Sequence, residues 1–106
     1  MGVVSVCVDL MDRSRIAALH PDVQFVRTVA AAIERVGLGQ VDLALVDLSR
    51  AGDVEQLRTL VATGVRVVAY GPHVDAALFA AARDAGCYDV VPRSRFFRNG
   101  SVNGRD

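Results

Sequence analysis

Apolar residues along this chain fall into short runs, and between the runs they recur every three or four positions. Val3, Val4, Val6 and Val8 make the first run, and residues 41–49, Val-Asp-Leu-Ala-Leu-Val-Asp-Leu-Ser, make the most continuous one. Near-continuous apolar runs bounded by turn residues suit parallel strands covered on both faces. The pattern predicts strands over residues 3–8, 23–26, 41–47, 66–70 and 88–92. Val29, Ala32, Ile33 and Val36 follow the i, i+3, i+4, i+7 spacing of a helix face, as do Val74, Ala77, Leu78, Ala81 and Ala85. A short helix over residues 12–19 is stopped by His20-Pro21, because the residue before proline avoids the helical region. Thr28 is expected to cap the second helix, and Gly37 to end it as a left-handed residue. Asp53 with Gln56 resembles a capping box opening a third helix that Gly64 closes, and Gly86 stops the fourth.

Strands alternating with helices imply a doubly wound, five-stranded parallel α/β sheet. In the flavodoxin-like order 2-1-3-4-5, the first and third strands lie side by side at the topological switch point, where such sheets place their chemistry. Both end in an aspartate, Asp9 and Asp47, so the two carboxylates should face one crevice. After Pro92 come Arg93-Ser94-Arg95-Phe96-Phe97-Arg98 and a tail rich in Gly, Asn and Ser, which disfavours a full last helix. The expected organisation is one domain over residues 1–98, with a flexible tail over 99–106.

Composition narrows the chemistry. Formal net charge is zero over 106 residues, which argues against nucleic-acid or membrane-surface binding driven by charge. All twelve basic residues are arginines, so lysine-dependent chemistry is excluded. Cys7 and Cys87 have neither metal nor redox spacing and read as reduced thiols. With no signal-peptide pattern and no apolar run of transmembrane length, a cytoplasmic location is expected.

Asp9 after the first strand, Val-Asp-Leu-Ala-Leu-Val-Asp47-Leu around the third, and Ala85-Gly86-Cys87-Tyr88-Asp89-Val90-Val91 before the last resemble bacterial response-regulator receiver domains of two-component signalling. The likeness spans Val3 to about Phe96. It implies a phosphoacceptor at Asp47, a Mg²⁺ site using Asp9, Asp47 and the Ser49 carbonyl, a switch hydroxyl at the place of Gly71, and a lysine at the place of Arg93. This sequence departs from the pattern at three points. Leu10 stands where a second acid is expected, Gly71 has no hydroxyl, and Arg93 replaces the lysine. The expectation is therefore a pseudo-receiver, a stand-alone signalling or interaction module without turnover or cofactor, in which Arg93 is the resident cation between or beside Asp9 and Asp47. An active, Mg²⁺-dependent phosphoacceptor is the alternative.

Two other signals point elsewhere. Cys7 and Arg13-Ser14 fit the C-x5-R-[ST] loop of low-molecular-weight cysteine phosphatases, but the loop lacks glycine and holds two aspartates that would repel phosphate. Arg93, Arg95 and Arg98 around Phe96-Phe97 could meet an acidic partner or RNA; zero net charge favours phenylalanines that cover the sheet while the arginines stay solvated. With a short first helix and no full last one, part of one sheet face should remain uncovered. A homodimer or partner protein is expected there, with Phe96 and Phe97 at or near the contact.

Overall fold

The computed structural model describes residues 2–72 and 75–98. The predictions for Val74 and the 99–106 tail lie outside the described residues. Five strands, β1 (Val3–Val6), β2 (Gln24–Val26), β3 (Leu43–Asp47), β4 (Arg66–Gly71) and β5 (Asp89–Pro92), form one parallel sheet in the order β2-β1-β3-β4-β5. Between them run α1 (Leu10–Leu19), α2 (Val29–Gly37), α3 (Val54–Ala62) and α4 (Ala76–Asp84), and α5 (Arg93–Arg98) follows directly on β5. The fold is thus the expected flavodoxin-like, receiver-type one, with α5 described over six residues.

Alternation along the strands sorts their side chains between two cores. Val4, Val6, Ala44, Val46, Val67, Ala69 and Val90 meet Ala32 of α2, Leu57 and Leu60 of α3, and Phe79 and Ala82 of α4. Val3, Leu43, Leu45, Val68, Tyr70 and Val91 face the other way, against Ile16 of α1 and Phe96 of α5. The second core is the smaller, and one turn and a half of α5 does much of the covering.

Several boundaries differ from the expectation, and capping explains them. The first helix starts at Leu10, two residues early, because the Asp9 carboxylate accepts a hydrogen bond from the Asp12 amide at 3.0 Å. At ten residues α1 is about 15 Å long, longer than a two-turn stub. Thr28 caps α2 as expected, accepting from the Ala31 amide at 3.1 Å. Gly37, however, remains helical: Leu38 and Gly39 donate to the Arg35 and Val36 carbonyls, and the left-handed turn falls on Gly39 (φ 90°) and Gln40 (φ 67°). Asp53 caps α3 through the Glu55 amide at 2.9 Å, and Gly64 and Gly86 supply the left-handed stops after α3 and α4.

Candidate functional site

β1 and β3 run side by side and parallel, so Asp9 and Asp47 stand at the same end of the sheet, and each carboxylate already has local work. Asp47, nearly buried, caps a 3-10 turn over Leu48–Arg50. Its Oδ1 accepts from the Ser49 amide at 3.0 Å and from the Ser49 hydroxyl at 2.7 Å. Asp9 is exposed and caps α1.

Arg93 is paired with a third acid: it donates through Nε (3.2 Å) and Nη2 to the carboxylate of Asp12, whose side chain is 1% exposed. Asp12, which Asp9 and Asp47 also influence, is the residue that sequence reasoning missed. The wrong helix start hid it. A helix opening at residue 12 would make Asp12 a solvent-facing cap, whereas one opening at Leu10 puts it a turn before the core residue Ile16, on the same inward face.

Asp12 is the electrostatic centre of the crevice. Burial pushes its carboxyl above the ordinary aspartate range; Arg93 works against that rise, while the charges of Asp9 and Asp47 add to it. Arg93 is thus bound to an acid that is 1% exposed. Among the described residues no three His, Cys, Asp or Glu side chains converge as metal ligands. Mg²⁺ takes carboxylates and waters in near-octahedral array. Here Asp47 Oδ1 accepts from Ser49, Asp9 Oδ1 caps α1, and Leu10, at the place of a second acid, is 78% exposed.

A side chain at Gly71 would be tightly packed. A Cβ built there would lie 3.2 Å from Leu48 Cβ, 3.4 Å from Leu48 Cδ1 and 3.5 Å from Phe79 Cε1. Gly71→Ser should therefore destabilise by about 1 kcal/mol through overpacking. Urea denaturation checks this, and a gain in stability would show that the neighbours yield freely.

Beside Asp47 in the strand register sits Tyr70. It is fully buried, and its hydroxyl has no hydrogen-bond partner among the described residues. Burial, the adjacent Cys7 thiol and the nearby acids all push its ionisation upward. Its ring stacks on Phe96 at 4.2 Å between centroids and meets Phe97 edge-on at 5.6 Å.

Phe96 is 1% exposed, so the expectation that it lies at an interaction surface is corrected: it is a core residue stacked on Tyr70. Phe97 is half-buried, with Arg15 and Arg93 over its ring, while Arg95 is exposed.

The phosphatase-like elements are engaged structurally. The Cys7 thiol is buried and its ionisation pushed up by that burial, which disfavours the thiolate. Arg13 Nε donates to the Cys7 carbonyl at 2.8 Å, and its guanidinium lies over Phe25.

No protein-family model matches the chain, and no curated protein matches it. Solved structures do. The receiver domain of the TMAO respiratory system response regulator TorR superposes with a TM-score of 0.82 at 18% identity, over 95% of this chain and 90% of that one. A response regulator from Thermotoga maritima gives 0.73 at 16% identity, over 87% and 83%. The beryllofluoride-activated NtrC4 receiver domain dimer gives 0.73 at 14% identity, over 96% and 94%. These likenesses establish a receiver-type fold.

Proposed function

We propose that this chain is a receiver-type signalling module that works through protein contacts, with a crevice held by its own side chains instead of by metal and phosphoryl group. The observation that carries this reading is the Arg93–Asp12 pair. The cation that would stabilise a transferred phosphoryl group is committed to an acid of the same chain, and Ser49 engages the carboxylate that would accept the group. An acyl phosphate needs its charge neutralised as it forms; here the half-exposed Arg93 guanidinium is already bound to Asp12. Support for a contact surface beside the crevice comes from Leu10 and Met11, 78% and 67% exposed in the first turn of α1. A partner protein or a second copy of the chain is the proposed occupant, and the cytoplasm the proposed location. Among the described residues no helix is long and apolar enough to cross a membrane.

Millimolar Mg²⁺ should leave the melting temperature unchanged, since a ligand raises it only by binding the folded state. Asp47→Asn should cost less than about 1 kcal/mol, because asparagine caps as well as aspartate. A Mg²⁺-dependent rise in melting temperature that vanishes in Asp9→Asn would establish a working metal site and contradict the proposal.

A further inference from the structure

Zero net charge conceals a segregation of charge along the chain. α1 and α5 carry five of the twelve arginines but only one of the twelve acids, Asp12, so these two helices hold a formal +4 and the rest of the chain −4. Asp12 is buried and paired with Arg93. Every exposed charge on the two helices is thus a guanidinium. The helices adjoin: both cover the same face of the sheet, and the Arg15 guanidinium of α1 lies 5.3 Å from the centre of the Phe97 ring of α5. Arg95 and Arg98 are exposed on α5, and among the described residues neither they nor Arg15 take part in an ion pair.

The outer face of α1 is apolar as well. A surface helix ordinarily turns polar residues outward. Here Met11, Ser14, Arg15, Ala18 and Leu19 form the exposed stripe, at the i, i+3, i+4, i+7, i+8 spacing of a face that is usually covered. Leu10 and Met11 are 78% and 67% exposed, and Leu19 is 49% exposed. The buried residues of the same helix are only Asp12 and Ile16. More large apolar side chains of α1 therefore face water than face the sheet.

Apolar side chains and unbalanced positive charge thus share one face, and together they select an occupant. A second copy docked symmetrically by this face would set guanidinium against guanidinium. Nucleic acid would meet the arginines but leave Leu10, Met11 and Leu19 against phosphate. A lipid layer that took the stripe would also have to take Arg15, which stands between Met11 and Leu19 on it. A protein helix with an apolar stripe flanked by carboxylates answers both properties.

We infer that the outer face of α1 and α5 binds an acidic amphipathic helix of a partner protein, its apolar stripe on Leu10, Met11 and Leu19 and its carboxylates on Arg15, Arg95 and Arg98. This rests on the reading of the chain as a contact module and fixes the chemistry of its partner. It makes no use of Asp47, Ser49 or the Arg93–Asp12 pair. The Mg²⁺ and phosphodonor experiments can therefore contradict the closed crevice while this face still binds, and the reverse.

The test is a titration of the full chain with a synthetic peptide of about eighteen residues, five helical turns, with leucine on one face and glutamate on the other. The same peptide with lysine in place of glutamate is the control, and a duplex oligonucleotide and phosphatidylglycerol vesicles are competing probes. Saturable binding is expected for the glutamate peptide alone, with amide NMR shifts confined to α1 and α5. Salt should weaken it, because exposed charge pairs are screened. Arg15→Gln with Arg95→Gln and Arg98→Gln should weaken binding roughly tenfold and flatten the salt dependence. Met11→Ser with Leu19→Ser should weaken it and leave the salt dependence in place. All these side chains are exposed, so both variants should melt close to the wild type. Absence of binding, equal binding of the lysine peptide, or full affinity in the arginine variant would overturn the inference. Self-association that Met11→Ser with Leu19→Ser abolishes, or tighter binding of duplex or vesicle through the same arginines, would overturn it too.

Discussion

Arg93→Met should cost the domain about 2–3 kcal/mol, whereas Asp12→Asn should cost less than about 1 kcal/mol or raise stability. Removing one partner of a buried pair leaves the other charge uncompensated, at about 3–5 kcal/mol for full burial, and Arg93's 45% exposure reduces that figure. The asymmetry follows from who is buried. Without Arg93, a carboxylate that is 1% exposed faces Asp9 and Asp47 alone; without the Asp12 charge, a guanidinium open to water loses little. The pH dependence has a definite sign. The folded chain holds Asp12's proton more tightly than the unfolded chain does. The stability so gained is complete below the ordinary aspartate range and lost as pH rises through the raised value. Relative to Asp12→Asn, the wild type should therefore weaken from acid conditions towards neutrality. The cost of Arg93→Met should shrink in acid, where Asp12 takes up a proton. Urea denaturation of both variants across that range checks each point, and equal costs at every pH would show that the pair is not coupled to the fold.

Phe96→Ala should cost about 3–5 kcal/mol, the range for deleting a buried aromatic core side chain. That is a large share of the roughly 5–15 kcal/mol that holds a domain of this size. Phe96 fills the α1 side of the sheet, and its stack on Tyr70 adds to the area it removes from water. Phe97→Ala should cost less than half as much, since that ring is only half-buried. Thermal and urea unfolding distinguish a core role from a contact role: a Phe96→Ala chain that keeps its melting temperature while its oligomeric state changes would return Phe96 to the surface.

The fold could be read from the chain because its signals are redundant. Continuous apolar strands, turn residues between them and helix-period spacing all agree on alternating strands and helices, and the order β2-β1-β3-β4-β5 is the flavodoxin-like one of the two common doubly wound orders. The site could be read only in part. Asp9 and Asp47 stand at strand ends, where alternation and topology place them together, but the partner of Arg93 lies 81 residues away. No local pattern encodes such a contact; it depends on the start of α1, which turned on whether Asp9 or a later residue caps the helix. Phe96 was assigned to the right face of the sheet and the wrong depth. Glycine and asparagine after Arg98 argued against a long last helix, yet the six residues of α5 were enough to seat one ring on Tyr70.

The most direct measurement of the closed-crevice account is the intact mass of the chain after incubation with Mg²⁺ and a small-molecule phosphodonor. The account predicts an unchanged mass for the wild type, with Arg93 held by Asp12 and Asp47 engaged by Ser49. A stoichiometric increment of one phosphoryl group, labile to acid and base and absent from Asp47→Asn, would contradict it.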